Sequence, residues 1–200
     1  MSSTCLCYPR RARTILANMN IQGVVVALAG RRVDATGAPP RLPQANIPTV
    51  KRAIEEKFRS LSVAALVSAA ACGADLVAIG VAAASGVPFR IVLPFAPARF
   101  RDTSVVDRGS EWGPLFDTAL AKAQSTDDVV VLEDGDEAND DTYLRANEAI
   151  IDQAQAMAAG RPVVAIVIWD GRPRDGVDVT AAFAASARKR GLSVQEIGTL

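Results

Sequence analysis

Five short runs of the chain are almost wholly apolar, a sixth is half apolar, and five longer stretches repeat apolar residues every three or four positions. The runs Gly23–Ala29, Val63–Val67, Phe89–Leu93, Asp128–Leu132 and Pro162–Trp169 lack in–out alternation, which predicts strands buried on both faces, and Leu192–Ile197, where polar residues interleave, reads as the last strand. Between them, Pro48–Leu61 sets Val50, Ala53, Ile54, Phe58 and Leu61 at helical spacing, with Pro48 suited to a first turn. An Ala-rich helix is expected from Leu76 to near Gly86. Glu111–Gln124 carries Trp112, Leu115, Phe116, Ala119 and Leu120 on one stripe. Further helices are expected from the end of an acidic loop, Glu133–Asp141, to about Ala158, and over Val179–Arg190. Residues 31–47 and Pro94–Gly113 read as loops, the second with several bulky groups.

Alternating strands and helices with unalternating apolar strands predict an α/β fold: a doubly wound, mainly parallel Rossmann-like sheet with helices on both faces. Ligands of such sheets bind beyond the strand C-termini, where the strand order switches. The residues expected there are Ala29–Arg32, Ser68–Asp75, Pro94–Phe100, Glu133–Tyr143 and Trp169–Gly171. Residues 23–200 read as a single domain. Residues 1–22 contain Arg10, Arg11 and Arg13 but no acid, a composition mildly like a targeting peptide without a clear hydrophobic centre or cleavage site. They read as a disordered tail, or as an overlong start with Met19 as the initiator.

Composition narrows the chemistry. The 200 residues balance 22 basic against 22 acidic side chains, so a field suited to an extended nucleic acid is not expected. The chain has no histidine, which excludes imidazole acid–base catalysis, Ser–His and Cys–His pairs and His-based metal sites. Its three cysteines, Cys5, Cys7 and Cys72, form neither a disulfide framework nor a zinc spacing, and a cytoplasmic location fits. No apolar run approaches the roughly 20 residues of a membrane span, so no membrane partner is expected.

The most informative stretch is Ser68-Ala-Ala-Ala-Cys-Gly-Ala-Asp75, a small-residue turn between a strand and a helix. Such a turn lets a ligand approach the backbone, and the helix start offers free N–H groups and a positive dipole end. Ser68, Ala69 and Gly73 are candidate contacts there, although tight packing alone would also call for small residues. Asp75 either complements the helix dipole or bonds a ribose hydroxyl. Gly30 and Arg31 follow the first strand; one of Arg31 and Arg32, preferably Arg31, either grips a phosphate or is a solvated loop charge. Cys72 reads as a buried small apolar residue rather than a nucleophile.

The acidic loop reads as a solvated helix cap, as a holder of ribose or Mg²⁺ through Asp140 or Asp141, or as a source of a general base. Asp140 and Asp141 are thus the only catalytic candidates, and no metal ligands are assigned. Tyr143 and Asn147, one turn apart on the next helix, either stack on and bond a base or serve packing alone, with Asn139 just before them. Trp169 reads as closing the core rather than stacking, and Trp112 as core. Pro94, Phe95, Ser104 and Asp170 complete the candidate contacts, with Phe95 and Phe100 flanking a lid-like loop.

These motifs line up in order with one superfamily. Gly30-Arg31, Ser68–Asp75 and Val92-Leu93-Pro94-Phe95 resemble the SLOG superfamily, the Rossmann-like group that includes the LOG phosphoribohydrolases and DprA-like proteins. Arg41-Leu42-Pro43, Phe100-x-x-x-Ser104-Val105, Trp112-x-x-x-Phe116-x-x-x-Leu120, Asn147-x-x-Ile150-Ile151-Asp152 and Trp169-Asp170-Gly171-Arg172-Pro173 resemble a bacterial branch associated with signalling domains. The likeness covers about residues 23–198. It implies binding of a nucleotide-derived small molecule, with a homodimer as the superfamily's suggestion. The chain departs from the LOG enzymes after the fourth strand: Glu133–Asp141 stands where those enzymes carry Pro-Gly-Gly-x-Gly-Thr-x-x-Glu, so their phosphate-cradling glycines are missing.

Sensing or binding of such a ligand, in a bacterial signalling or stress system, is therefore the leading expectation. Its rivals are a hydrolase that cleaves an N-glycosidic or phosphate bond with acidic-loop carboxylates, and an interaction scaffold with a vestigial pocket. No cofactor is assigned beyond Mg²⁺ accompanying a nucleotide.

Overall fold

The computed structural model describes residues 23–132 and 139–200. The N-terminal tail expectation, with Cys5 and Cys7, and most of the acidic loop fall outside the described residues. Six strands form one sheet in which every neighbouring pair is parallel. They are β1 (Val24–Gly30), β2 (Val63–Ser68), β3 (Phe89–Leu93), β4 (Val129–Val131), β5 (Val163–Trp169) and β6 (Ser193–Gly198). Their order across the sheet is β4-β3-β2-β1-β5-β6. The chain thus steps outward from β1 to β4, returns to the other side of β1, and opens a crevice where the order reverses.

Six α-helices connect the strands: α1 (Ile47–Leu61), α2 (Ala74–Ala84), α3 (Pro97–Ser104), α4 (Trp112–Ser125), α5 (Asp140–Met157) and α6 (Val179–Lys189). In α1 the predicted stripe turns inward through Val50, Ile54 and Phe58, one turn apart. Alternate residues of β1 divide the core. Val26 and Leu28 join the cluster that holds α1, α2 and α4, whereas Val25, Ala27 and Ala29 join the one under α5 and α6. The second cluster is largely alanine and valine, with Ala154, Ala184 and Ala187 on the helices and Ala158 just past α5. Small side chains on both surfaces bring helix and sheet close together and increase dispersion contact.

The sequence-based reading differs most at Pro94–Gly113. This segment contains α3 and a short 3-10 turn, Val106–Arg108, rather than an extended loop. Pro97 occupies the first turn of α3, where its missing N–H costs nothing. Phe100 and Val105 are buried, so the segment is held by packing more than by helix propensity. No helix among the described residues is long and apolar enough to cross a membrane.

Candidate functional site

A cavity of about 420 Å³ opens at the C-terminal ends of the central strands. One wall is the chain just after β1, with Gly30, Arg31 and Arg32. A second is the β2–α2 turn, through Ala69, Ala71 and Asp75. Pro94, Phe100, Thr103 and Ser104 form the wall beyond β3. The first turns of α5 supply Asp140, Tyr143 and Asn147, and the segment before and into α6 supplies Arg174 and Val177–Thr180.

Glycine at position 30 has a packing cause. A Cβ there would lie 2.3 Å from that of Ala74 and 3.0 Å from that of Ile168, so β1, α2 and β5 meet only because the side chain is absent. Gly73 has φ +98°, and a Cβ would approach the Val33 nitrogen to 2.6 Å and the Arg31 oxygen to 2.8 Å.

The β2–α2 turn is knit to itself and to its neighbours. The Ala71 N–H donates to Asp75 Oδ2 (3.3 Å), the Cys72 N–H to the Ser104 carbonyl (3.0 Å) and the Ala74 N–H to the Arg31 carbonyl (3.1 Å). Ala70 holds a left-handed φ of 72° without being glycine, a local cost of roughly 1–2 kcal/mol. Asp75 is buried. Removal from water pushes its carboxyl up to about 7, against the opposing pull of the Ala71 and Gly30 N–H groups, the nearby Ser68 hydroxyl and Arg32. Asp75 Oδ1 and Ser68 Oγ both lie buried without a well-formed hydrogen bond. Burial also raises the Cys72 thiol, partly countered by Arg32, whose Nε lies 3.5 Å from Sγ. The buried thiol is not poised as a nucleophile.

Arg31 organises the opposite wall. Its side chain is only 2% exposed. Nε donates to Asp170 Oδ1 (3.0 Å), Nη1 to Asp178 Oδ1 (2.8 Å) and Nη2 to the Arg172 carbonyl (2.7 Å). Burial opposes the charge, but the two carboxylates outweigh it and raise the guanidinium's affinity for its proton. Arg41 joins the same group through Asp170 (3.1 Å). Asp178 is also the N-cap of α6 and accepts from the N–H groups of Thr180 and Ala181 (both 3.0 Å) and Arg174 (2.7 Å). Burial alone would raise its carboxyl; Arg31 and these donors hold it at about 2.

Several expected contacts lie elsewhere. Ser68 is wholly buried and does not line the cavity, and neither does Gly73, which packs against the 31–33 backbone. The turn is packed, the alternative its small residues also allowed, and its N–H groups at 71, 72 and 74 are already bonded within the protein. Phe95 is not a lid: it is buried between Phe100 and Tyr143, with ring centroids 5.9 and 6.2 Å away. Phe100 does face the cavity, yet it is also buried and packs on Phe116. Asn139 caps α5 by accepting from the Asp141 N–H (2.9 Å), and Asp141 faces a groove between α5 and α6 instead. Asp170 is held beneath the wall by Arg31 and Arg41.

Gly30, Arg31, Ala69, Asp75, Pro94, Ser104, Tyr143, Asn147 and the catalytic candidate Asp140 do come together on the cavity wall. Arg31 arrives with its donors turned into the protein. Asn147 arrives with Nδ2 bonded to the Val179 carbonyl (2.7 Å), tying α5 to α6. Trp169 bonds Glu196 through Nε1 and lies under the Arg31 guanidinium, away from this cavity. Trp112 is core, as its stripe predicts.

The sequence reading overlooked Arg174, Thr103 and Asp178 with its neighbours. Asp178 was open to discovery as an acid directly before a helix, a common N-cap. Its pairing with Arg31, 147 residues away, was not. Among the described residues no group of three or more Asp, Glu, Cys or His side chains is placed to hold a metal ion.

No protein-family model and no curated protein sequence matches the chain. Among solved structures the chain is similar to DNA processing protein A (DprA) from Streptococcus pneumoniae. The two are 16% identical, with a TM-score of 0.39, over 87% of this chain and 58% of that one. The chain therefore spans less than two thirds of that protein's length.

Proposed function

We propose that the protein binds a nucleotide-derived small molecule in the cavity at the C-terminal edge of the sheet, as a cytoplasmic sensor in a bacterial signalling or stress system. The observation that carries this reading is the cavity's position beside the β1/β5 switch in strand order, where open α/β sheets take their ligands. Its volume falls in the range of small-molecule sites. The wall joins an aromatic face, Tyr143, to cations, Arg32 and Arg174, which suits a ligand with a ring at one end and charge at the other. The resemblance of the ordered motifs to the SLOG superfamily supports the nucleotide class. Absence of histidine and of a glycine-rich loop after β4 supports sensing over LOG-type catalysis.

Thermal unfolding with nucleosides, nucleoside monophosphates, ADP-ribose, NAD and cyclic nucleotides tests this reading. A ligand at 100 times its Kd adds about 2.7 kcal/mol of stability. For a chain of this size that is a rise in Tm of roughly 5–11 °C. No shift with any of them would overturn it. Asp140 on the wall favours a second reading, hydrolysis of a nucleotide bond. Product formation that disappears in Asp140→Asn, with binding retained, would establish it.

A further inference from the structure

Three of the arginines near the sheet's C-terminal edge line the cavity: Arg31, Arg32 and Arg174. Arg31 holds Asp170 and Asp178, and Arg32 holds Asp107. Arg174 makes no side-chain hydrogen bond or ion pair among the described residues. Its backbone N–H, by contrast, is fixed by Asp178 Oδ2 at 2.7 Å, and Asp178 is itself fixed by Arg31. The cation is thus anchored at its root and unspent at its tip. Loss of hydration and repulsion from Arg31, Arg41 and Arg108 outweigh the attraction of Asp178 and lower the guanidinium's hold on its proton.

The other surfaces of the cavity are poorly suited to an anion. The N–H groups at 71, 72 and 74 of the β2–α2 turn are bonded within the protein. The start of α6 is already occupied by the Asp178 carboxylate. The α5 wall carries Asp140, and a phosphate beside it would be repelled.

We propose that Arg174 is the phosphate-recognition point of the cavity, so that a ligand lies with its phosphate against the β5–α6 segment and its ring toward Tyr143. This deepens the reading above and rests on it. The phosphate is held on the side of the sheet opposite to β4, where the LOG enzymes carry their glycine-rich loop. On the facing wall beyond β3, Thr103 already donates its hydroxyl to the Arg99 carbonyl (2.9 Å), so toward a sugar it can act only as an acceptor. In this arrangement Arg31 is a positioning residue: it holds Asp178, which holds the Arg174 backbone.

The test uses the full chain with three probes, inorganic phosphate, AMP and adenosine, followed by calorimetric titration and thermal shift. The variants are Arg174→Ala and Arg174→Lys, with Arg52→Ala, an exposed arginine on α1, as the charge-matched control. Wild type is expected to bind AMP more tightly than adenosine and to respond to phosphate alone. Arg174→Ala is expected to weaken AMP and phosphate roughly 10- to 100-fold and leave adenosine unchanged. Arg174→Lys should retain part of the effect as a point charge without the planar fork. Arg52→Ala should change nothing. If Arg174→Ala binds AMP and phosphate as wild type does, the assignment to Arg174 is overturned while the cavity reading survives. Adenosine binding that phosphate and AMP do not improve upon also overturns it alone. Failure of all three probes on wild type overturns this inference and counts against the cavity reading as well.

Discussion

Two loops at the C-terminal edge of the sheet make an instructive pair. The β2–α2 turn, Ser68 to Asp75, looks in sequence like a ligand cradle and folds as a packing joint. The β5–α6 segment, Asp170 to Thr180, looks like an ordinary turn-rich loop and builds the cavity's charged wall. The difference lies in what remains unspent. Small residues in the first loop allow close approach, but the partner that approaches is the protein's own 31–33 backbone. The second loop carries two acids that Arg31 and the α6 N–H groups satisfy, which leaves Arg174 with nothing to hold among the described residues. Close approach marks where chains can touch; a charge that no protein group holds stays available to solvent or to a ligand.

That contrast is broken most severely at Arg31. Arg31→Ala leaves buried Asp170 with Arg41 alone and buried Asp178 with only its backbone donors, and should cost about 3 kcal/mol of unfolding free energy, read by urea denaturation. The acid limb should change too. Asp178 is held low, so its contribution is full above pH ~4 and is lost as pH falls toward 2. Without Arg31 that loss should begin at higher pH.

Gly73→Ala attacks the packing joint itself. It places a Cβ against backbone atoms at a φ of +98°, and roughly 3 kcal/mol of destabilisation is expected. Gly171→Ala, at φ +74° with open space around it, should cost only about 1–2 kcal/mol. Equal losses in the two variants would contradict the picture of a tightly packed turn.

Asp75 sharpens the comparison through pH. Its carboxyl is raised to about 7, so between pH ~4 and 7 the folded protein retains a proton that the unfolded chain has released. Stability should fall as pH rises through this window, by up to ~1.4 kcal/mol per pH unit from this group, and level off above 7. Asp75→Asn should remove that slope while its side-chain oxygen still accepts from the Ala71 N–H. An unchanged slope in denaturation midpoints at pH 5 and pH 8 would refute the assignment.

The smallest effect belongs to Arg174. As an exposed side chain with no described partner, Arg174→Ala should change stability by less than ~0.5 kcal/mol, so any loss of binding reflects recognition rather than folding.

Much of the fold was legible because its signals are local. All six strands sit within one or two residues of the runs that predict them, since the four inner runs are apolar enough to be buried on both faces and all six are too short to be helices. Helix α3 was hidden because its eight residues bury only Phe100 and Ser104, too few to set a period. Of the site, residues just after strand ends were legible by topology alone: Gly30, Arg31, Ala69 and Pro94 reach the cavity. Ser68 and Phe95 occupy comparable positions and do not, because side-chain direction at a strand end depends on pleat and on the neighbouring helix. Arg174 and Thr103 carried no sequence signal, for they enter the wall from a loop and from a helix whose courses depend on contacts made far along the chain.

Periodicity, composition and residue type by themselves determined the α/β alternation, the buried parallel strands, the edge where a ligand site belongs and the absence of imidazole chemistry. These follow from which residues water rejects and which functional groups are present, and both are properties of short segments. Only the tertiary structure decided which polar groups at that edge are consumed by the protein and which remain. A hydrogen bond or ion pair between residues 31 and 178 depends on the order of the strands and the path of the crossover between β4 and β5. The same arginine side chain is a buried clamp at position 31 and an unspent cation at position 174, because charge in a protein acts through its neighbours in space.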